Sequence, residues 1–163
     1  AKVTHDITSI MHLLQTVVFD SLESDILWDK KNLICVWCKL CMTAAAIIYC
    51  IQNNIKILAD WYRKTQACHP EQTPIFMSNI DEFAASYGID YQHPIYDITD
   101  DRVLRLKWYK YSIASTSIKT HCVIHSVSNY DYKEETILKY INRKIPSLRE
   151  YIQKEIERTS NKA

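Results

Sequence analysis

Glycine is nearly missing from this chain: its 163 residues include one, Gly88. Tight β-hairpins draw on glycine for positive φ angles, and phosphate-cradling loops need it so that the backbone can approach a ligand. A single glycine excludes both a GxGxxG turn and a Walker-type loop. A helical protein without the usual nucleotide-binding loops is expected. Proline is sparse too, at Pro70, Pro74, Pro94 and Pro146. Charge of one sign is not in excess, since 20 Lys and Arg stand against 19 Asp and Glu for a net charge of +1. With acids and bases interspersed, no global field selects nucleic acid or an anionic membrane. The opening AKVTHD has no initiator Met and no signal-peptide layout, so a trimmed chain or a piece of a longer protein is expected.

What is present suits one domain over 1–163. A hydrophobic fraction of 47% and a charged fraction of 24% are ordinary for a globular chain that buries its own core. No repeat, low-complexity tract or long linker divides it. The strongest feature is the run LICVWCKLCMTAAAIIYCI at 33–51, interrupted by Lys39 and closed by Asn53 and Asn54. Its length approaches a bilayer crossing. Lys39 argues against that, because a lysine in the middle of a span costs ~2.5–3.5 kcal/mol, and the flanks carry no membrane organisation. A helix that is apolar all round also forms the centre of a bundle. The expected fold is therefore all-α: about six or seven helices around a buried central helix at 33–51, with no membrane partner. The run Ala44-Ala45-Ala46 would let neighbours approach closely, and a large residue at Ala45 is expected to overpack by ~1–3 kcal/mol.

Around this helix the pattern predicts an amphipathic helix over 4–23, with Ile7, Ile10, Met11, Leu14, Val17 and Val18 on one face and His5 and His12 solvated. The central helix is expected from about 29, with Asp29 as its cap. Residues 54–66 continue as a helix after a break at Asn53-Asn54, or as one bent helix with it. Residues 67–77 read as a loop, because two prolines oppose a helix. A short helix over 79–87 would be capped by Ser78 and ended by Gly88. Residues 89–99 are irregular, a helix over about 101–117 is capped by Thr99 or Asp100, and 118–127 are divided between strand and helix. The C-terminal helices 132–144 and 147–159 are split at Pro146. They set Ile137, Ile141, Ile145, Leu148, Ile152 and Ile156 against a charged, solvated face that includes Lys139, Arg143, Lys144 and Arg149.

Six cysteines (Cys35, Cys38, Cys41, Cys50, Cys68 and Cys122) bear on the compartment and on metals. Four lie in the apolar run, where cross-links between turns of one helix gain little, so reduced thiols in the cytoplasm or nucleus are expected. Cys35, Cys38 and Cys41 have the C-x2-C-x2-C spacing of an iron–sulfur ligand run, and Cys68-His69 would suit zinc. No Gly or Pro bends the backbone between the three, and on a helix they drift around the axis. Apolar packing is expected instead, with no metal and no cofactor. His121 and His125 share a helical face if that segment is helical, but HExxH is absent, and Cys122 has no base assured in space. No catalytic constellation emerges, and a non-enzyme is expected.

Two features point to binding. Several of the 11 tyrosines, including Tyr91 and Tyr96, fall in expected loops, where a rigid amphipathic ring makes an anchor. The segment RVLRLKWYKY interleaves Arg102, Arg105, Lys107 and Lys110 with Trp108, Tyr109 and Tyr111. A regulatory or adaptor domain that meets a protein partner through Tyr91, Tyr96, Trp108 and Tyr109 is the expectation. Nucleic-acid binding through Arg102, Arg105, Lys107 and Lys110, with Trp108 stacking, is the alternative. In layout alone, an apolar central helix wrapped by amphipathic ones resembles cyclin-box and Bcl-2-like domains, with no residue roles carried over.

Overall fold

A computed structural model describes residues 9–19, 33–110 and 133–161. Among them five α-helices and one small sheet follow in the order α1 (Met11–Val17), α2 (Ile34–Gln52), β1 (Ile57–Ala59), α3 (Pro74–Ala85), β2 (Asp90–Gln92), α4 (Asp101–Lys110) and α5 (Glu134–Ser160). Two 3-10 turns, Lys64–Gln66 and Pro70–Gln72, fill the chain between β1 and α3. The protein is thus mostly helical. The ambiguous segment 118–127, with His121, Cys122 and His125, lies outside the described residues, as do the outer ends of the helices expected over 4–23 and 101–117.

The apolar run forms α2 as expected, though from Ile34 with Leu33 at the cap position rather than from Asp29. It is buried on one side only. Val36, Trp37, Leu40, Cys41, Ala44 and Ile47 recur at helical spacing and are all buried, while Met42 on the other side is 47% exposed. The inner face packs chiefly on α5, whose Ile137, Tyr140, Ile141, Leu148 and Ile152 are buried. Trp37 stacks on Tyr140 with ring centroids 5.7 Å apart. Ala44 is the fully buried alanine of the run, whereas Ala45 and Ala46 are half-buried, so the overpacking expected at Ala45 belongs to Ala44.

The end of α2 explains why no α-helix continues over 54–66. Asn54 takes φ 54°, Asn54 N–H donates to the Ile51 carbonyl at 3.2 Å, and Ile55 N–H donates to the Cys50 carbonyl at 2.8 Å. This is a Schellman closure with asparagine in the left-handed position, and it stops the helix. The chain leaves extended as β1, which pairs in parallel with β2 in the register Ile57↔Asp90, Leu58↔Tyr91, Ala59↔Gln92. A parallel pair needs a crossover, and α3 supplies it.

Two proline expectations are corrected. Helix α3 begins at Pro74, inside the expected 67–77 loop, with Thr73 capping it through its hydroxyl, which accepts from Phe76 N–H at 3.4 Å. Proline at the first helical position loses no internal bond, so it starts the helix instead of forbidding it. Gly88, at φ 72°, ends it: Gly88 N–H donates to the Ala85 carbonyl and Ile89 N–H to that of Ala84. Pro146 lies inside a single 27-residue α5 instead of splitting two helices. An interior proline costs ~3 kcal/mol, but the buried stripe runs unbroken from Ile137 to Ile152 and opposes that cost. Lys144 also departs from the expected solvated face: it is 5% exposed and donates to the Val17 carbonyl at 3.2 Å, at the C-terminal end of α1.

Ala44→Leu should lower stability by about 1–3 kcal/mol in urea unfolding, because Ala44 is fully buried within the core. The same change at half-buried Ala45 should cost less.

Candidate functional site

Two places in the fold carry chemistry worth weighing: a buried polar hub at the end of the sheet and an open apolar groove on α2.

The hub centres on Asp60, the residue after β1, which is 9% exposed. The strand alternation that turns Leu58 inward also turns Asp60 inward. Its Oδ1 accepts the Tyr62 backbone N–H at 3.1 Å and meets His93 Nδ1 at 2.8 Å. Its Oδ2 accepts the Tyr91 hydroxyl at 3.0 Å and lies 3.9 Å from Lys39 Nζ. The second ring nitrogen of His93, Nε2, meets Asp81 Oδ1 of α3 at 2.7 Å. Asp60, Asp81, His93 and Lys39 sum to zero charge when all four are ionised, which is how charged groups persist at such burial.

Each environment shifts its groups in a definite direction. Burial lowers the Lys39 ammonium below its ordinary value, against the opposing pull of Asp60. For His93, burial disfavours the charged ring, but the hydrogen bonds and charges of Asp60 and Asp81 outweigh it, and the net shift is upward. Burial and then Asp60 push the Tyr91 phenol up. The Tyr62 phenol is pushed up chiefly by burial, and its buried hydroxyl has no hydrogen-bond partner among the described residues. Lys39 Nζ stands 4.2 Å from the centroid of the Tyr62 ring, a cation–π contact.

This hub is poorly arranged for general-base catalysis. A general base needs a ring nitrogen free for substrate, and both nitrogens of His93 are engaged by carboxylates. In α2, burial pushes the Cys41 thiol up to about 12, which keeps it protonated and a poor nucleophile or ligand. Cys35 and Cys38 are half-buried on the same helix. No group of three His, Cys, Asp or Glu side chains among the described residues is placed to hold a metal ion.

The groove lies along the outer side of α2. It has a volume of about 280 Å³ and is lined by Met42, Ala45, Ala46, Tyr49 and Cys50 of α2, with Ile10 ahead of α1 and Leu58 of β1 at its sides. The lining positions 42, 45, 46 and 49 repeat at helical spacing. By length and composition α2 could also cross a membrane, although its inner face is packed within the fold.

The residues singled out from sequence fall in different places. Tyr91 is half-buried with its hydroxyl on Asp60, and Tyr96 is half-buried with its hydroxyl 3.4 Å from the Gln72 carbonyl. Arg102 and Arg105 of α4 are exposed, as is Lys110. Arg102 also pairs with Asp100, whose carboxyl it holds below the usual range. Lys107, Trp108 and Tyr109 lie on α4, but their side chains are outside the described residues. Sequence reasoning misses Asp60, Asp81 and His93, because the two aspartates lie 33 and 12 positions from the histidine. The one available signal is an aspartate ending a short apolar run.

Asp60→Ala should destabilise the fold by about 3 kcal/mol, since it strands His93, Lys39 and Tyr91. Tyr62→Phe removes an unpartnered buried hydroxyl and should be neutral or stabilising by up to about 1 kcal/mol. Urea unfolding of both variants checks the contrast. Comparison with known proteins finds no matching family model, no matching curated protein and no matching solved structure, so the site is read from its own chemistry.

Proposed function

We propose that this protein is a non-catalytic interaction domain, a bundle of six or seven helices whose α2 groove receives an amphipathic helix of a protein partner. One observation carries the reading: the most apolar helix of the chain buries one face and leaves Met42, Ala45, Ala46 and Tyr49 along an open groove. Alanines at its floor admit close approach of a second helix, and Met42 adapts its shape to what lies on it. A volume of about 280 Å³ suits a row of side chains better than an enclosed small molecule. The doubly engaged His93 and the protonated Cys41 support a domain without an active site. Reduced thiols fit the cytoplasm or nucleus. Tyr91 and Tyr96 commit their hydroxyls inside the fold, so the groove is the stronger surface.

Ala46→Arg places a charge on the groove floor. It should reduce capture of a specific partner from native extract at least about tenfold, the effect of ~1.4 kcal/mol, while the urea midpoint stays within error of wild type. Equal capture by wild type and variant would refute the groove. Binding of the wild type to neutral phospholipid vesicles, lost in the variant, would replace the protein partner with a membrane.

A second reading rests on α4, which exposes Arg102, Arg105 and Lys110 on a short helix. If it grips phosphates, binding to single-stranded nucleic acid should weaken with salt. Arg102→Glu with Arg105→Glu should flatten the log–log slope by roughly 0.7 for each phosphate that is no longer neutralised. An unchanged slope would remove this reading.

A further inference from the structure

The clamp on His93 shares no residue with the groove lining and ties the end of β1 to α3. Nδ1 meets Asp60 at the end of β1, and Nε2 meets Asp81 on α3. Only the imidazolium can donate from both nitrogens; a neutral ring has one N–H and turns a lone pair to the other carboxylate. We propose that His93 is an alkaline-release latch: its imidazolium ties α3 to the end of the sheet, and loss of one proton undoes the tie to Asp81 while keeping the tie to Asp60.

The two carboxylates are unequal, and that decides which bond fails. Asp60 is 9% exposed and is also held by Tyr62 N–H, the Tyr91 hydroxyl and Lys39, whereas the Asp81 side chain is 43% exposed. The remaining proton therefore stays on Nδ1, and Asp81 turns to water. The groups that face the ring are Asp60 and Tyr62 after β1, with the Tyr62 ring centroid 6.0 Å away, and Asp81 from α3. Tyr91 of β2 lies at 4.8 Å and Tyr96 at 6.5 Å, while Lys39 of α2 acts through Asp60. The tyrosine hydroxyls with an upward shift stay neutral through this range. Burial lowers Lys39 as well, but its ammonium meets Asp60 and not Asp81, so the tie to α3 follows the proton on His93. Burial opposes the charged ring, but the two carboxylates raise it on balance, which sets the sign. The latch is fully closed below the ordinary histidine value of about 6.5. It is lost as pH rises from there through the higher value of the folded state.

The apolar residues Phe76, Ile80, Phe83 and Ala84 still hold α3 in the core, so release loosens the helix without unfolding the chain. Local opening should become easier by up to about tenfold for each pH unit that separates the folded and open-state midpoints.

Nitrogen-15 NMR of the imidazole rings in the full chain, titrated from pH 5 to 9, tests this. His93 should keep the two-proton signature beyond the ordinary histidine midpoint and then become the Nδ1–H tautomer. Hydrogen-exchange protection factors of the α3 amides should fall through the same transition, with the protection of α5 unchanged. Asp81→Asn should lower the His93 midpoint and remove the pH dependence of α3 protection. A midpoint at or below the ordinary value, or α3 protection that is flat through the transition in wild type, would overturn the latch. Wild type alone decides the matter if the variant does not fold.

Discussion

Everything else in the fold depends on the packing of the inner face of α2 against the stripe of α5. Val36, Trp37, Leu40, Ala44 and Ile47 meet Ile137, Tyr140, Ile141 and Leu148 with almost no surface left to water. The valine, leucine and isoleucine side chains among these contribute ~1.5–3 kcal/mol each on burial, which explains why α5 remains one helix through Pro146. The same packing recruits α1. Lys144 lies within the buried stripe of α5 and meets the Val17 carbonyl, where the partial negative charge of a helix C-terminus favours a cation. Burial of that lysine is tolerable because the carbonyl and the face of Tyr140, 5.6 Å from Nζ, replace water.

A polar centre of comparable order sits at the other side of α2. With three residues per strand, the parallel pair could not stand alone in water. The side chain of Asp60 holds it together by drawing β2, through Tyr91, and the following turn, through His93, onto the residue that ends β1. Lys39, an oddity within an apolar helix when read along the sequence, belongs to this centre. It lies over Tyr62 and beside Asp60, so it gives α2 a polar link to the end of the sheet.

The helical class, the central helix, its stop at Asn53-Asn54, the Gly88 terminus and the apolar face of α5 are all legible in the sequence. Each depends on local periodicity or on the φ preference of one residue. The departures share a cause as well. Proline reads as a breaker at Pro74 and Pro146, yet the first stands where a helix begins and the second is overridden by burial on the opposite face. Strand β1 escapes a reading of the sequence because its partner lies beyond a whole crossover, and three residues carry too little alternation to oppose a helical neighbourhood. The one-sided burial of α2 is invisible there because both of its faces are apolar; only the positions of α1 and α5 distinguish them. The His93 clamp is out of reach for the same reason, since neither aspartate is near it in sequence.

The groove and the polar centre meet in β1. Leu58 lines the groove, and Asp60, two residues on, anchors His93. Residues two apart in a strand point to the same side, so both side chains face inward from one short element whose outward positions, Ile57 and Ala59, are exposed. A partner helix seated on Met42 and Tyr49 would press on Leu58, and through it on the strand that positions Asp60. A latch whose firm end is Asp60 and whose weak end is exposed Asp81 transmits little of that pressure to α3, because the weak end gives first. If the groove receives a partner helix as proposed, that binding would tolerate changes in His93 protonation rather than be gated by them.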